Sequence, residues 1–267
     1  MQAARAMLLA SAMAGAMTAP GCSGPVDLAA NNAANAAQGG EAGFRAAPSL
    51  TEATRGADGA IAVAGEAAPD TAVRLENAAG GAVFATADAK GRWQASLPAS
   101  SEERLFALSM SDGARLSPAT GYLFVMPDGA VARLAAGGGS AMLTPDTATR
   151  VSLALDYDNR AAATLSGAGA PSQTVALRVD GVERGQAPTD AAGRFVLPLN
   201  QPLTAGPHDF ELANGRGEVR FSAVIAAPAA LHGPFLAAPI TGGWRVDWTT
   251  TGGGEQTTLV FEALAQA

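Results

Sequence analysis

The chain has 267 residues, of which 48% are hydrophobic and 15% charged, and its formal net charge is −7. This length and composition can bury the core of one large domain or two ordinary ones, which excludes disorder throughout. The acidic balance, with no run of Lys or Arg, argues against nucleic acid and against an anionic membrane surface as the main partner. Aromatic residues make up only 5%, so we expect a core of small and β-branched side chains.

The first segment, Met1 to Met17, predicts a secretory signal. Arg5 supplies a sparse positive region, and the apolar run after it is too short to span a bilayer. The only cysteine, Cys22, ends a stretch of small residues, and this arrangement resembles the lipobox of bacterial lipoproteins. The resemblance implies a signal peptide over 1–21 and lipidation of Cys22, which would tether the protein to a membrane.

The residues around the cysteine add two expectations about location. Ser23 rather than Asp follows it, which in the lipoprotein family implies the outer membrane, facing the periplasm or the cell surface. Ordinary cleavage after Ala16 or Ala19 is the alternative, and it would give a soluble periplasmic protein. Residues 22–43 are rich in Ala, Asn and Gly with almost no bulky side chain, so we predict a flexible linker there.

An internal repeat organises the rest of the chain. The motif Gly65-x-x-x-Pro69 returns as Gly167-x-x-x-Pro171, 102 residues later. The same spacing holds without gaps for further pairs: Val73 and Val175, Asp88 and Asp190, Gly91 and Gly193, Trp93 and Phe195, Gly113 and Gly215. The repeat predicts two modules, over 44–140 and 141–267.

Beyond Gly113 the spacing changes. A shift of 112 then aligns three residues with three others: Gly121 with Gly233, Pro127 with Pro239, and Arg133 with Arg245. Each module is therefore predicted to carry an additional hairpin after its repeated part.

Local patterns favour β-strands in both modules. Segments such as Thr174–Val179 and Glu218–Ile225 alternate apolar with polar or small residues, which is typical of half-buried strands. Asp180-Gly181 and Pro127-Asp128-Gly129 separate such segments and predict tight turns, because glycine accepts the positive φ that these turns need. Short strands between frequent turns predict β-sandwiches.

Module 1 carries the pattern Gly65-x-x-x-Pro69-x-Thr-x-Val73, followed by Thr86-x-Asp88-Ala-x-Gly91-Arg-Trp93. This pattern resembles the bacterial Ig-like domain of surface and envelope proteins. The second module repeats it with Pro188 in place of Thr86. The resemblance implies an all-β chain with two tandem Ig-like β-sandwich modules, in which Trp93 and Phe195 plug the cores. The carboxypeptidase-regulatory-like β-sandwich shares part of the pattern and is the alternative superfamily.

No catalytic group stands out in the sequence. A nucleophile needs a base beside it, usually histidine, and the chain has only His208 and His232. We predict surface or boundary positions for both. The expectation is a protein that is not an enzyme and has no cofactor; an enzyme using clustered carboxylates is a further hypothesis.

Two clusters remain as candidate sites. Asp156, Asp158 and Asn159 could bind calcium through oxygen atoms, although the segment lacks the Gly and the bidentate Glu of an EF-hand loop, and such residues also form turns. Trp244 and Trp248 share one face of a predicted strand, where they could stack on a sugar or peptide or close the core of the hairpin.

The leading functional hypothesis is a membrane-tethered envelope lipoprotein acting as a structural or protein-interaction module. The alternative is a carbohydrate- or cell-wall-binding module that uses the face of Trp244 and Trp248. The expected partners are the membrane, through the lipid, and an envelope protein or cell-wall glycan, but no nucleic acid.

Overall fold

The computed structural model describes residues 45–113, 115–143 and 150–266. The predicted signal peptide, the lipidation of Cys22 and the linker lie outside these residues. Within them the secondary structure is entirely β, which confirms the predicted class. No helix long and apolar enough to cross a membrane occurs in these ranges.

The described residues of module 1 form nine strands in two antiparallel sheets. Sheet 1 has the order β1-β2-β5, and sheet 2 has the order β4-β3-β6-β7-β8-β9. The strands are β1 (Ser49–Arg55), β2 (Ile61–Glu66), β3 (Ala72–Asn77), β4 (Ala82–Thr86), β5 (Arg92–Leu97), β6 (Arg104–Asp112), β7 (Arg115–Val125), β8 (Val131–Ala135) and β9 (Ala141–Met142).

In the described part of module 2, ten strands form two further antiparallel sheets. Sheet 3 has the order β14-β11-β10-β19-β18-β17, and sheet 4 has the order β13-β12-β15-β16. The strands are β10 (Arg150–Asp158), β11 (Ala163–Ala168), β12 (Thr174–Val179), β13 (Val182–Pro188), β14 (Arg194–Pro198), β15 (Gly206–Ala213), β16 (Glu218–Ile225), β17 (Phe235–Ile240), β18 (Gly243–Thr249) and β19 (Glu255–Ala265).

The repeat is visible in the strand order. Strands β1-β2-β5 facing β4-β3-β6-β7 recur as β10-β11-β14 facing β13-β12-β15-β16, an Ig-like arrangement of two antiparallel sheets. Strand β3 begins at Ala72 and β12 at Thr174, 102 residues later; β6 begins at Arg104 and β15 at Gly206, with the same spacing. The predicted fold class is confirmed.

The shared Asp-x-x-Gly motif forms the same turn in both modules. Asp88 Oδ1 accepts hydrogen bonds from the backbone N–H groups two and four residues later, at 2.8 and 2.9 Å, and Asp190 Oδ1 does so at 2.9 and 2.8 Å. Gly91 and Gly193 then adopt φ angles of 79° and 81°, which residues with a Cβ rarely accept. The turn therefore sets the direction in which the chain enters β5 and β14.

Each module has its own apolar core between its two sheets. Trp93 lies in the core of module 1 and Phe195 in that of module 2, and each is 3% exposed. This confirms that the aromatic residue after the Asp-x-x-Gly turn plugs the core, where burial of a large ring contributes about 1.5–3 kcal/mol.

The additional hairpins differ between the modules. In module 1 the second half of β7 pairs with β8 around the Pro127–Gly129 turn. In module 2 β17 pairs with β18, and β19 then inserts between β18 and β10. The predicted division after residue 140 would separate β9 from β8, with which it pairs, so we assign β9 to module 1.

The two modules share a third apolar cluster, which we call the module interface. Side chains of β7 alternate: Leu123 and Val125 enter the core of module 1, whereas Tyr122 and Phe124 face sheet 3. Sheets 2 and 3 therefore pack on each other through the faces turned away from their own cores. The buried members are Leu105, Phe124, Met126, Ala132 and Leu134 of module 1 with Val246, Trp248 and Val260 of module 2.

Candidate functional site

The predicted tryptophan face lies inside the module interface. Trp248 is 0% exposed, its ring meets Tyr122 edge-on at 5.5 Å between centroids, and its Nε1–H donates to Thr258 Oγ1 at 3.0 Å. Trp244 packs edge-on against Phe124 at 6.0 Å. Sheet 2 covers Trp248, and Trp244 is half-buried against the same cluster, so of the two alternatives the structure favours the one in which the pair closes a core rather than an exposed platform for a sugar or peptide.

A buried carboxylate lies at the centre of the polar part of this interface. Asp156 on β10 is 2% exposed. It accepts hydrogen bonds from the backbone N–H of Ser140 at 2.9 Å, the Ser140 hydroxyl at 2.6 Å, Thr258 Oγ1 at 2.7 Å and Gln256 Nε2 at 3.1 Å. Both carboxylate oxygens are therefore occupied by protein donors.

Gln256 extends this network to the turn after β8. Its Nε2–H donates to the carbonyl of Ala135 at 2.9 Å, and its Oε1 accepts from the N–H of Gly137 at 2.8 Å. The Ser166 hydroxyl on β11 donates to the carbonyl of Ser140. Side chains of sheet 3 thus satisfy backbone groups of the segment 135–140, which leaves module 1, and hold it in place.

The environment of Asp156 shifts the pKa of its carboxyl group. Burial raises the pKa of the carboxyl group, and the hydrogen bonds from Ser140, Thr258 and Gln256 act in the opposite direction without cancelling the rise. The donors compensate part of the cost of burying the charge. Asp156 is therefore a structural carboxylate whose hydrogen-bond donors come from both modules.

The three residues predicted as a possible calcium site have different structural roles. Asp156 faces the module interface, whereas Asp158 Oδ1 accepts the backbone N–H groups of Arg160 and Ala162 at 2.8 and 3.0 Å in the turn after β10. Asn159 is exposed in that turn. In the described ranges, no three His, Cys, Asp or Glu side chains form a group suited to a metal ion.

A second buried network lies on the opposite face of β18. Arg245 donates to Asp247 through Nε at 3.0 Å and through an Nη at 2.9 Å, and the Thr257 hydroxyl also donates to Asp247. The same guanidinium reaches the carbonyl of Ala227 at 2.8 Å, and Tyr157 donates to that of Ala226 at 3.2 Å. The network fixes the connection between β16 and β17 to sheet 3.

His208 is buried, at 7% exposure, whereas the sequence predicted a surface or boundary position for it. Its Nδ1 lies 2.6 Å from Asp180 Oδ2, and its Nε2 lies 2.8 Å from the carbonyl of Thr204. Burial alone lowers the pKa of His208, but the Thr204 carbonyl and the Asp180 carboxylate outweigh it, and the net direction is upward. The pair joins the β12–β13 turn to β15. His232 is exposed in the loop before β17.

The outer face of sheet 2 beyond the hairpin carries large exposed apolar residues. Phe84 on β4 is 69% exposed and Leu116 on β7 is 62% exposed. Their counterparts at the 102-residue spacing, in matching ladder positions of sheet 4, are Gln186 and Glu218. Folding of this module type therefore does not require apolar groups there, and the two residues mark a candidate interaction surface. A comparison of outward-facing positions between the repeats is the sequence signal that could have found them.

No protein-family model and no curated protein matches the sequence. A solved structure described as biofilm associated protein, BSP domain, is 13% identical with a TM-score of 0.26, covering 70% of this chain and 30% of that one. The central fibronectin-III array of RIM-binding protein is 10% identical with a TM-score of 0.27, covering 83% of this chain and 96% of that one. The chain thus spans under a third of the first structure's length.

Proposed function

We propose that this protein is a lipid-anchored, non-enzymatic envelope protein whose two sandwiches act as one body that presents an interaction surface. The observation that carries the proposal is a contrast between the repeats at two matched positions on their outer faces. Module 1 exposes Phe84 and Leu116, where module 2 has Gln186 and Glu218. Apolar residues that the fold does not need, on an open sheet face, favour a contact with another protein.

The module interface supports the same proposal. An apolar cluster and the Asp156 network join the two sandwiches. A force applied to module 1, directly or through a bound partner, would therefore be transmitted to module 2 without a flexible joint. Such coupling suits a structural or scaffolding role. The anchor rests on Cys22 and its resemblance to a lipobox.

The test of the anchor is intact mass and membrane fractionation of the protein expressed in a bacterial host, beside Cys22→Ala. We expect a diacylglyceryl-modified Cys22 in the outer-membrane fraction, and loss of this modification in the variant. A soluble periplasmic form cleaved upstream of Cys22 would contradict the anchor.

The test of the interaction surface replaces Phe84 and Leu116 by their module 2 counterparts. We expect Phe84→Gln with Leu116→Glu to leave the thermal midpoint within a few degrees of the parent, and to abolish crosslinks formed in cells from a photoreactive residue at Thr86. A matched pair, Gln186→Ala with Glu218→Ala, should leave the crosslinks unchanged. Equal crosslinking by all three proteins would contradict the surface.

A further inference from the structure

Strand β4 is the last strand of sheet 2, and one of its edges has no neighbouring strand in the described part of the chain. Its sequence, Ala82-Val-Phe-Ala-Thr86, contains no ionisable residue and no proline. Natural proteins usually protect an edge strand with charged residues, proline or a bulge, because its free backbone groups invite another strand. This edge lacks those protections.

The backbone groups that face outward on β4 follow from its pairing with β3. The N–H of Asn77 donates to Gly81 at 2.8 Å, and the N–H of Ala87 donates to Thr71 at 3.0 Å. The register between β3 and β4 runs without a bulge, and hydrogen-bonded pairs alternate along antiparallel strands. Val83 and Ala85 therefore bond to β3, whereas the N–H and C=O groups of the alternate residues point away from it: Ala82, Phe84 and Thr86.

The equivalent edge of module 2 is protected. Pro188 stands in the position of Thr86, so the outward N–H is missing there. Strand β13 also carries Glu183 and Arg184, and its pairing with β12 contains a register shift. The same fold thus has one blocked edge and one open edge, which shows that the open edge is not a requirement of the architecture.

The open edge is complementary to itself. In an antiparallel pair of β4 strands centred on Phe84, Ala82 meets Thr86 of the second copy and Phe84 meets Phe84 of the second copy. All outward N–H and C=O groups of these residues then find partners. The two phenylalanine rings become cross-strand neighbours on the outer face, and no like charges meet, since β4 has none.

We propose that two copies of this chain associate through β4, in a twofold antiparallel pair centred on Phe84 that joins their six-stranded sheets. Phe84 gains apolar contact that it lacks in the single chain, where Arg74 lies over its ring at 5.9 Å. The contact is one short strand with one aromatic pair, so the association belongs to the weak class of interfaces. The proposal does not rest on the lipid anchor.

The experiment is sedimentation of the chain from Ser23 onward, which lacks the anchor residue and retains the compact unit Arg45–Ala267. The concentration series should reach about 1 mM, because weak interfaces have dissociation constants in the micromolar range or above. We expect a concentration-dependent dimer. Thr86→Pro, which removes an outward N–H and copies Pro188, should weaken association about tenfold or more, and Phe84→Gln should also weaken it.

Controls separate loss of pairing from loss of folding. Thr86→Val keeps the N–H and should dimerise like the parent, and Pro188→Thr should not change the dimer. The thermal midpoint of Thr86→Pro should match the parent, since this N–H has no partner inside module 1. A chain that stays monomeric up to the highest concentration, or a dimer that neither Thr86→Pro nor Phe84→Gln weakens, overturns the proposal.

The register is tested by introducing cysteines into the chain from Ser23 onward, which has no cysteine of its own. Ala82→Cys mixed with Thr86→Cys should form a disulfide-linked dimer on mild oxidation, because paired Cα atoms lie about 5.5 Å apart. Either variant alone should not, since the like positions are separated by about 13 Å along the strand. Crosslinking by a single variant without the mixed product overturns the pairing centred on Phe84.

Discussion

Asp156 of β10 accepts two hydrogen bonds from Ser140, one from its backbone N–H at 2.9 Å and one from its hydroxyl at 2.6 Å. A carboxylate of module 2 thereby holds the segment through which the chain leaves module 1. Both residues are almost fully buried. The contact lies at the polar side of the interface whose apolar side contains Trp248.

Asp156→Ala should lower the free energy of unfolding by about 3 kcal/mol, because buried donors of Ser140, Gln256 and Thr258 lose their acceptor together. The measurement is urea unfolding of the parent and the variant. Asp158→Ala is the matched control, because it removes a carboxylate that accepts backbone hydrogen bonds in the turn after β10. We expect it to lower the free energy of unfolding by about 1 kcal/mol. Equal losses would contradict the central role of Asp156.

Trp248→Ala should cost about 3–5 kcal/mol, as expected for truncation of a buried aromatic residue. The variant should also expose apolar surface of sheet 2, which increased binding of a hydrophobic dye would report. Phe84→Ala is the control of similar chemistry on an open face, and its cost should stay within about 0.5 kcal/mol. A loss below about 1 kcal/mol for Trp248→Ala would show that sheet 2 does not cover this ring.

The raised pKa of His208 leads us to expect that the stability of the fold depends on pH. Its pKa is raised in the folded protein by Thr204 and Asp180, so the folded state binds a proton more tightly than the unfolded state. The resulting stabilisation is complete below the unfolded pKa, about 6.5, and is lost as the pH rises through the higher folded pKa.

We therefore expect the difference in urea midpoint between the parent and His208→Gln to shrink as pH rises from about 5.5 to 8.5. His232→Gln, which changes the other histidine, should follow the parent at every pH. A difference that grows with pH would have the wrong sign and would refute the assignment.

Gly91→Ala and Gly193→Ala should destabilise the protein by similar amounts, at least about 2 kcal/mol each. Both positions have a positive φ, and an added Cβ would lie 2.5 Å from the carbonyl oxygen of Ala67 or 2.4 Å from that of Gly169. Gly80→Ala is the control, because its φ is also positive but its Cβ would have no neighbour within 4 Å. Thermal unfolding of the three variants should show the smallest loss for Gly80→Ala.

Some features of this fold are local, and the sequence predicts them. Alternation along Thr174–Val179 and Glu218–Ile225 identifies strands β12 and β16, and the Asp-x-x-Gly turn places Trp93 and Phe195 in their cores. The 102-residue repeat predicts the two modules because both pack as the same kind of sandwich and use the same turn residues. These signals need only neighbouring residues and the period of a strand.

The burial of Trp248, His208 and Asp156 was decided only by the tertiary structure. Alternation shows that a strand has two faces, but it does not show that sheet 3 is covered on both, once by sheet 4 and once by sheet 2. That second covering joins residues far apart in the chain, such as Gly137 and Gln256. By itself the sequence determined the strands, the turns and the repeat; the meeting of sheets 2 and 3 decided which polar and aromatic side chains would be buried, because burial depends on what packs against a face.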